Sequence, residues 1–231
     1  TILPENTAVS LGVALVLLVP CTDWFITFTQ LGGGETEQAI AFSPLSLLFQ
    51  ILLLPIYLFL FFGNELSMTL ATHNMIQAFA GIIVLPLIIA FLTEKWAKSV
   101  PERQYIISRI GWLPVPLLAI VIFMISASQS QVLFEATFYL LYPAICFVAF
   151  LFITPLMAKI LSTLVNLPVR QGRVLAFSLG SRNSFVVLPL ALALPESFEI
   201  TVFVVVLQSL IELFGMAAYV WFIPKILFSI K

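Results

Sequence analysis

Pro20-Cys21-Thr22-Asp23-Trp24-Phe25 and Gly180-Ser181-Arg182-Asn183-Ser184-Phe185 are the two stretches on which the fold turns. Each sits in the middle of an apolar run and interrupts it with small and polar residues. The run after the first carries Leu47-Leu48-Phe49-Gln50, and the run after the second carries Val205-Val206-Leu207-Gln208. Asp23 lies 27 residues before Gln50, and Asn183 lies 25 residues before Gln208. Two similar pairs of segments, far apart in one chain, are the mark of an internal repeat.

Working outward, the chain has 231 residues, of which 61% are hydrophobic and 9% charged. Soluble domains carry about 25% charged residues. So little charge cannot cover a water-facing surface, and the outside of the molecule is expected to face lipid. The formal net charge of −1 provides no field for nucleic acid. Cys21 and Cys146 both lie in apolar runs and do not form an extracellular disulfide framework. Backbone in lipid must satisfy its own hydrogen bonds, so each long apolar run is expected to be a helix of about 20 residues. Seven such runs are predicted, at 8–31, 43–62, 74–91, 110–128, 131–158, 174–194 and 200–223. The fifth is long enough to tilt or kink, with Pro143 and Pro155 offering the places.

Lys and Arg gather in cytoplasmic connections. Lys95, Lys98, Arg103 and Arg109 follow the third run; Lys159, Arg170 and Arg173 follow the fifth; Lys225 and Lys231 end the chain. The connections with Glu65, with Gln129-Ser130-Gln131 and with Glu196 to Glu199 contain no Lys or Arg. This alternation predicts an external N-terminus and a cytoplasmic C-terminus in the cell (plasma or inner) membrane. The loop with Glu35 and Glu37 fits less well, since it should be cytoplasmic yet has no basic residue.

Segments five apart in this order run in opposite directions, as an inverted five-helix repeat requires. Residues 1–62 are then the last two helices of a first, truncated repeat, and 63–231 a complete second one. Three further helices, on the order of 80 residues with their loops, are expected ahead of Thr1.

Asp23, Arg182 and Glu212 are the charged residues well inside predicted spans, where an ionisable group costs roughly 2.5–3.5 kcal/mol. Such groups persist when they face a cavity or a partner. Asp23 and Arg182 fall in the two equivalent breaks and are expected to pair, as a fastening or as part of a gate. A broken helix also exposes N–H and C=O groups with half-helix dipoles aimed at the gap. Thr22, Ser178, Ser181, Asn183 and Ser184 add hydroxyls and an amide, which makes a polar solute site. Glu212 follows Gln208 by four residues and shares its helix face. It is a candidate proton carrier or, equally, a protonated tie between helices. Gln50 and Gln208 are candidate gating residues or interhelical glue. A thiol at Cys21 suits a soft, thiophilic solute or simple packing. Gly32-Gly33-Gly34 is a turn and not a phosphate loop, because no Lys-Ser/Thr follows. His73 is expected to be solvated, and Glu135 close enough to a span end to reach water. Neither a cofactor nor a metal site is implied.

Between 17 and 62 the chain resembles the arsenite permease branch of the bile acid/sodium symporter superfamily. Pro20-Cys21-Thr22-Asp23, Gln30-Leu31-Gly32-Gly33-Gly34-Glu35 and Ser46-Leu47-Leu48-Phe49-Gln50-Ile51-Leu52 carry the likeness, with Leu210-Ile211-Glu212 and the basic tail. The resemblance implies ten helices in two inverted five-helix repeats, the fourth and ninth broken and crossing. This chain would supply the fourth to the tenth. It also implies that Cys21 stands where the branch has a cysteine for trivalent arsenic, and Glu212 where the last helix has an acid. Asn183-Ser184-Phe185-Val186 departs from the paired asparagines and Phe-Glu of that branch, and Arg182 is unexpected there.

Together with these residues, the resemblance implies a secondary transporter that exports arsenite or a similar small oxyanion, coupled to protons. The alternative is a sodium-coupled symporter of an organic anion on the same fold, although Ser178 and Arg182 stand where that branch has an acid and an amide. Enzyme classes are disfavoured. Asp23 is the only Asp, too few for an aspartyl dyad, His73 lies near a loop, and no His-Glu-x-x-His string exists.

Overall fold

Helix α1 (Thr7–Leu18) ends where Pro20 lacks the N–H that another turn would use. Val19 N–H turns back to Val16 O at 3.3 Å, tightening the last turn. After the break, α2 (Trp24–Leu31) continues to the Gly32–Gly34 turn. The computed structural model describes residues 7–22, 24–70, 85–98, 100–110 and 130–229, with Gly81, Leu117, Ile120, Phe123 and Met124. Asp23, His73 and most of the predicted third and fourth spans lie outside them.

Then follow α3 (Thr36–Leu70), α4 (Leu85–Lys98), α5 (Pro101–Ile110), α6 (Ser130–Leu164), α7 (Val169–Gly180), α8 (Ser184–Leu192) and α9 (Ile200–Phe222). A single 3₁₀ turn, Glu196–Phe198, precedes α9, and a π turn, Ile223–Leu227, follows it. The described residues contain no β-strand, only an isolated bridge between Pro20 and Arg182. The regular structure of the described residues is all-helical.

Two described helical stretches are long and apolar enough to cross a membrane: Leu140–Leu164 (mean hydropathy 2.3) and Glu196–Leu227 (mean hydropathy 2.1). The predicted 8–31 and 174–194 runs are not single rods, because each is split at the expected place. Helix α3 exceeds its predicted 43–62 at both ends, and its 35 residues span about 50 Å. Its N-terminal extension carries Glu37 in the first turn, where the helix dipole favours an acid. Helix α6 runs through Pro143 and Pro155 as one assigned helix. The basic residues Lys95, Lys98, Arg103 and Arg109, expected in a loop, are helical, with Pro101 opening α5 as proline does at a first helical position.

The chain forms two compact units, 1–69 with 138–231, and 70–137. The second holds α4 and α5, joined by Arg103, which lies over the Trp96 ring at 4.5 Å and donates to Trp96 O at 3.3 Å. The first holds both interrupted helices. In it α1 packs on α9 through Gly12, where an added Cβ would stand 2.9 Å from Val204 Cβ. Thr201 Oγ1 donates to Ala8 O at 2.8 Å across the same contact. Small residues allow this close approach of helices in lipid, where no hydrophobic drive brings them together.

Arg173, expected in a cytoplasmic loop, is instead 7% exposed on α7. Its Nη1 donates to Gly33 O at 3.0 Å and Gly32 O at 3.3 Å, and Nε and Nη2 donate to Phe228 O at 3.2 and 2.9 Å. Gly33 has φ +65°, a left-handed turn that costs a glycine little. One planar fork therefore fastens the end of α2, the start of α7 and the segment after α9. Arg173→Lys keeps the charge but not the fork. It is expected to cost about 2–3 kcal/mol, in the range of hydrogen bonds to charged groups, read as a lower melting midpoint of detergent-purified protein. A midpoint equal to the parent's would show that the fork is dispensable.

Candidate functional site

The two breaks meet. Cys21 N–H donates to Ser181 O at 3.3 Å and Asn183 N–H donates to Val19 O at 2.9 Å, on either side of the antiparallel bridge between Pro20 and Arg182. Backbone groups released by each interruption are thus taken up by the other, as a water-poor interior requires.

Side chains extend this junction. Asn183 caps α8 by accepting Val186 N–H on Oδ1 at 3.2 Å, and its Nδ2 reaches Thr22 Oγ1 at 3.3 Å. Ser184 Oγ donates to Gln208 Oε1 at 2.6 Å, and Gln208 Nε2 donates to the Glu212 carboxylate. The same oxygen, Oε2, accepts Arg182 N–H at 2.9 Å. A continuous relay therefore runs from the second break along α9. The spacing of Gln208 and Glu212 on one helix face foretells that contact.

The Arg182 guanidinium turns back to the C-terminal carbonyls of α7. Nη1 donates to Ser181 O at 3.2 Å and Nη2 to Leu179 O at 2.8 Å, where the helix dipole favours a cation. Its carbon lies 4.5 Å from the Phe150 ring centre, a cation–π contact supplied by α6. The expected pairing of Arg182 with Asp23 lies outside the described residues. Nearby, Tyr219 donates to Leu151 O and lies 3.0 Å from Thr154 Oγ1. Sequence reasoning did not single out Phe150, Thr154 or Tyr219. Tyr219 could have been found from its spacing, seven residues after Glu212 on the same face.

Cys21 is 3% exposed, not in a disulfide, and packs with Phe25, Ala39 and Val174. Cys146 on α6 is half-buried. Helix α3 approaches the first break through Ser43, whose Oγ donates to Thr22 O at 2.5 Å. Four buried residues keep unmet hydrogen-bonding capacity among the described residues: Gln50 at both Nε2 and Oε1, Ser181 and Thr29 at their hydroxyls, and Arg182 at Nε. Each such orphan costs about 1–3 kcal/mol. No group of three His, Cys, Asp or Glu comes together among the described residues; the oxygens gathered here are hydroxyls, amides, backbone carbonyls and one carboxylate.

Interrupted helices that pair through backbone and present polar groups between apolar helices recur in membrane transporters. A family model described as the sodium bile acid symporter family matches residues 2–136, more than half of the chain, and the chain belongs to that family. It is similar to the probable sodium/metabolite cotransporter BASS4, chloroplastic, of Oryza sativa subsp. indica and of subsp. japonica, at 27% identity over 90 residues in each case. The match covers 38% of this chain and 21% of each relative. No solved structure matches. The family is one of membrane transporters.

The Ser184–Gln208 bond ties α8 to α9. A double-mutant cycle with Ser184→Ala and Gln208→Leu is expected to give a coupling of about 0.6 kcal/mol, the average for polar pairs in a membrane bundle, and at most about 1.7. It would be read from unfolding in mixed micelles, and additivity would place the two side chains apart.

Proposed function

We propose that the solute site lies at the crossing, and that the protein exports arsenite or a similar small oxyanion in exchange for protons. The observation that carries this reading is Cys21, buried at the junction with its backbone bonded to Ser181 and with Thr22 and Asn183 beside it. Neutral arsenous acid needs no counter-charge. The Cys21 thiol exchanges with one of its hydroxyls, forming an As–S bond and releasing water, and the reverse step frees the solute. Thr22, Ser181, Asn183 and Ser184 hold the remaining hydroxyls. Protons are handled by Glu212 with Asp23 and Arg182, and Gln208 passes the effect on. A proton on Glu212 Oε2 displaces one of the two donors it now accepts, Gln208 Nε2 or Arg182 N–H. That loosens α9 from the second break, which is what a proton-driven gate needs.

In this reading the chain has seven spans, resembling the last seven of a ten-helix fold in two inverted repeats, divided at 1–62 and 63–231. It lies in the cell membrane with a cytoplasmic C-terminus. The two compact units do not follow that division, since contacts group elements by proximity and repeats group them by likeness.

The family description and the printed names of the rice relatives support a second reading, sodium-coupled symport of an organic anion. Here the oxygens of Thr22, Asn183 and Ser184 serve the ion, and Arg182 turns from the α7 carbonyls to a solute carboxylate. Everted vesicles from an arsenite-sensitive strain expressing the full reading frame separate the two. Arsenite accumulation driven by a proton gradient, independent of sodium and lowered about a hundredfold by Cys21→Ser (a loss of about 2.7 kcal/mol), is expected. Accumulation that requires sodium, or that Cys21→Ser leaves intact, would discard the arsenite reading.

A further inference from the structure

The inward face of α3 is built from Ala39, Ser43, Ser46 and Gln50, spaced by four, three and four residues. Ala39, Ser46 and Gln50 are buried, while Ile40, Phe42, Leu45, Leu48 and Phe49 on the other sides are exposed. Polarity is thus inside and apolarity outside, as for a helix that lines a polar path within lipid. The lower end of this face is spoken for. Ala39 packs against Cys21 and Phe25, and Ser43 donates to Thr22 O. Gln50 lies seven residues beyond Ser43, about 10 Å further along the helix. It is 5% exposed, and neither end of its amide has a partner among the described residues.

The contrast with Gln208 is informative. That amide is engaged at both ends, by Ser184 and by Glu212, and serves as a tie between helices. Gln50 ties nothing. An amide idle at both Nε2 and Oε1 is complementary to a group that accepts and donates side by side. A carboxylate satisfies Nε2 alone and repels Oε1; a cation satisfies Oε1 alone and finds no charge on this face. A neutral hydroxyl-bearing molecule satisfies both.

We propose that Gln50 and Ser46 form a second binding station on the solute path, about 10 Å from the crossing, for a small uncharged solute bearing hydroxyl groups. The station deepens the transport reading above but does not use Cys21. Its failure and that of the arsenite chemistry are therefore separable.

Boric acid is a suitable probe, being neutral, hydroxylated and without thiol affinity, with sodium acetate as the anionic control. The measurement is the ligand-dependent melting midpoint of the full-length protein in detergent, for the parent, Gln50→Leu and Cys21→Ser. Boric acid is expected to raise the midpoint of the parent and of Cys21→Ser alike, with acetate inert. Gln50→Leu is expected to weaken the apparent affinity about tenfold, as the loss of a pair of hydrogen bonds to a neutral group does. Without ligand, Gln50→Leu should melt no lower than the parent, because it replaces an idle amide by an apolar group of similar size. A boric acid shift that survives Gln50→Leu or is absent in the parent, an equal shift with acetate, or a lowered ligand-free midpoint of Gln50→Leu would each overturn the station. Loss of an arsenite-induced shift in Cys21→Ser, with the boric acid shift retained, supports the station as separate from the thiol.

Discussion

Two backbone hydrogen bonds between the interrupted stretches organise the first compact unit. In an antiparallel bridge, successive N–H and C=O groups point alternately toward the partner and away from it. Ser181 O and the Asn183 N–H face the first stretch, meeting Cys21 N–H and Val19 O. The Arg182 N–H is therefore turned away, toward α9, where the Glu212 carboxylate accepts it. Asn183 is placed by the same pairing to cap α8 and to touch Thr22. The position of each polar group at the junction follows from which way the paired backbone leaves it facing.

Around this junction the helices reverse the amphipathic pattern of a soluble protein. Thr201, Val205, Gln208, Met216 and Tyr219 lie on the buried side of α9, while Leu210, Leu213, Phe214 and Trp221 are exposed. On α6 the buried side includes Phe147, Thr154, Ala158 and Ser162, and Leu141, Ile145, Phe152, Leu156 and Ile160 face outward. Polar side chains thus gather where they can serve one another, and the hydrocarbon-facing sides carry none of the cost of burying them.

The breaks were legible because proline and runs of small polar residues stand out in apolar sequence. The Gln208–Glu212 contact was legible because helical spacing fixes it. Arg173 was not, since a basic residue beside a span looks like a cytoplasmic loop charge until the carbonyls of Gly32, Gly33 and Phe228 are seen around it. The start of α7 at Val169 was missed for a related reason: apolar periodicity begins at Val174, whereas the helix begins after Pro168. The direction of the Arg182 guanidinium was illegible too, because Phe150 and the α7 carbonyls reach it only through tertiary packing. The grouping of 1–69 with 138–231 depends on contacts between elements remote in sequence, which order along the chain does not reveal.

The first break completes its bonding with residues made much later. Thr22 and Asn183 are 161 positions apart, and the Ala8–Thr201 bond spans 193. At a synthesis rate of about 5–20 residues per second, the early segment waits on the order of 10–40 s for its counterpart. Throughout that interval the carbonyl of Val19 and the N–H of Cys21 must be hydrated or lent a temporary partner, since lipid offers neither. Biogenesis of this protein therefore requires a wet or sheltered holding place for α1 at the insertion machinery until the second break has been made.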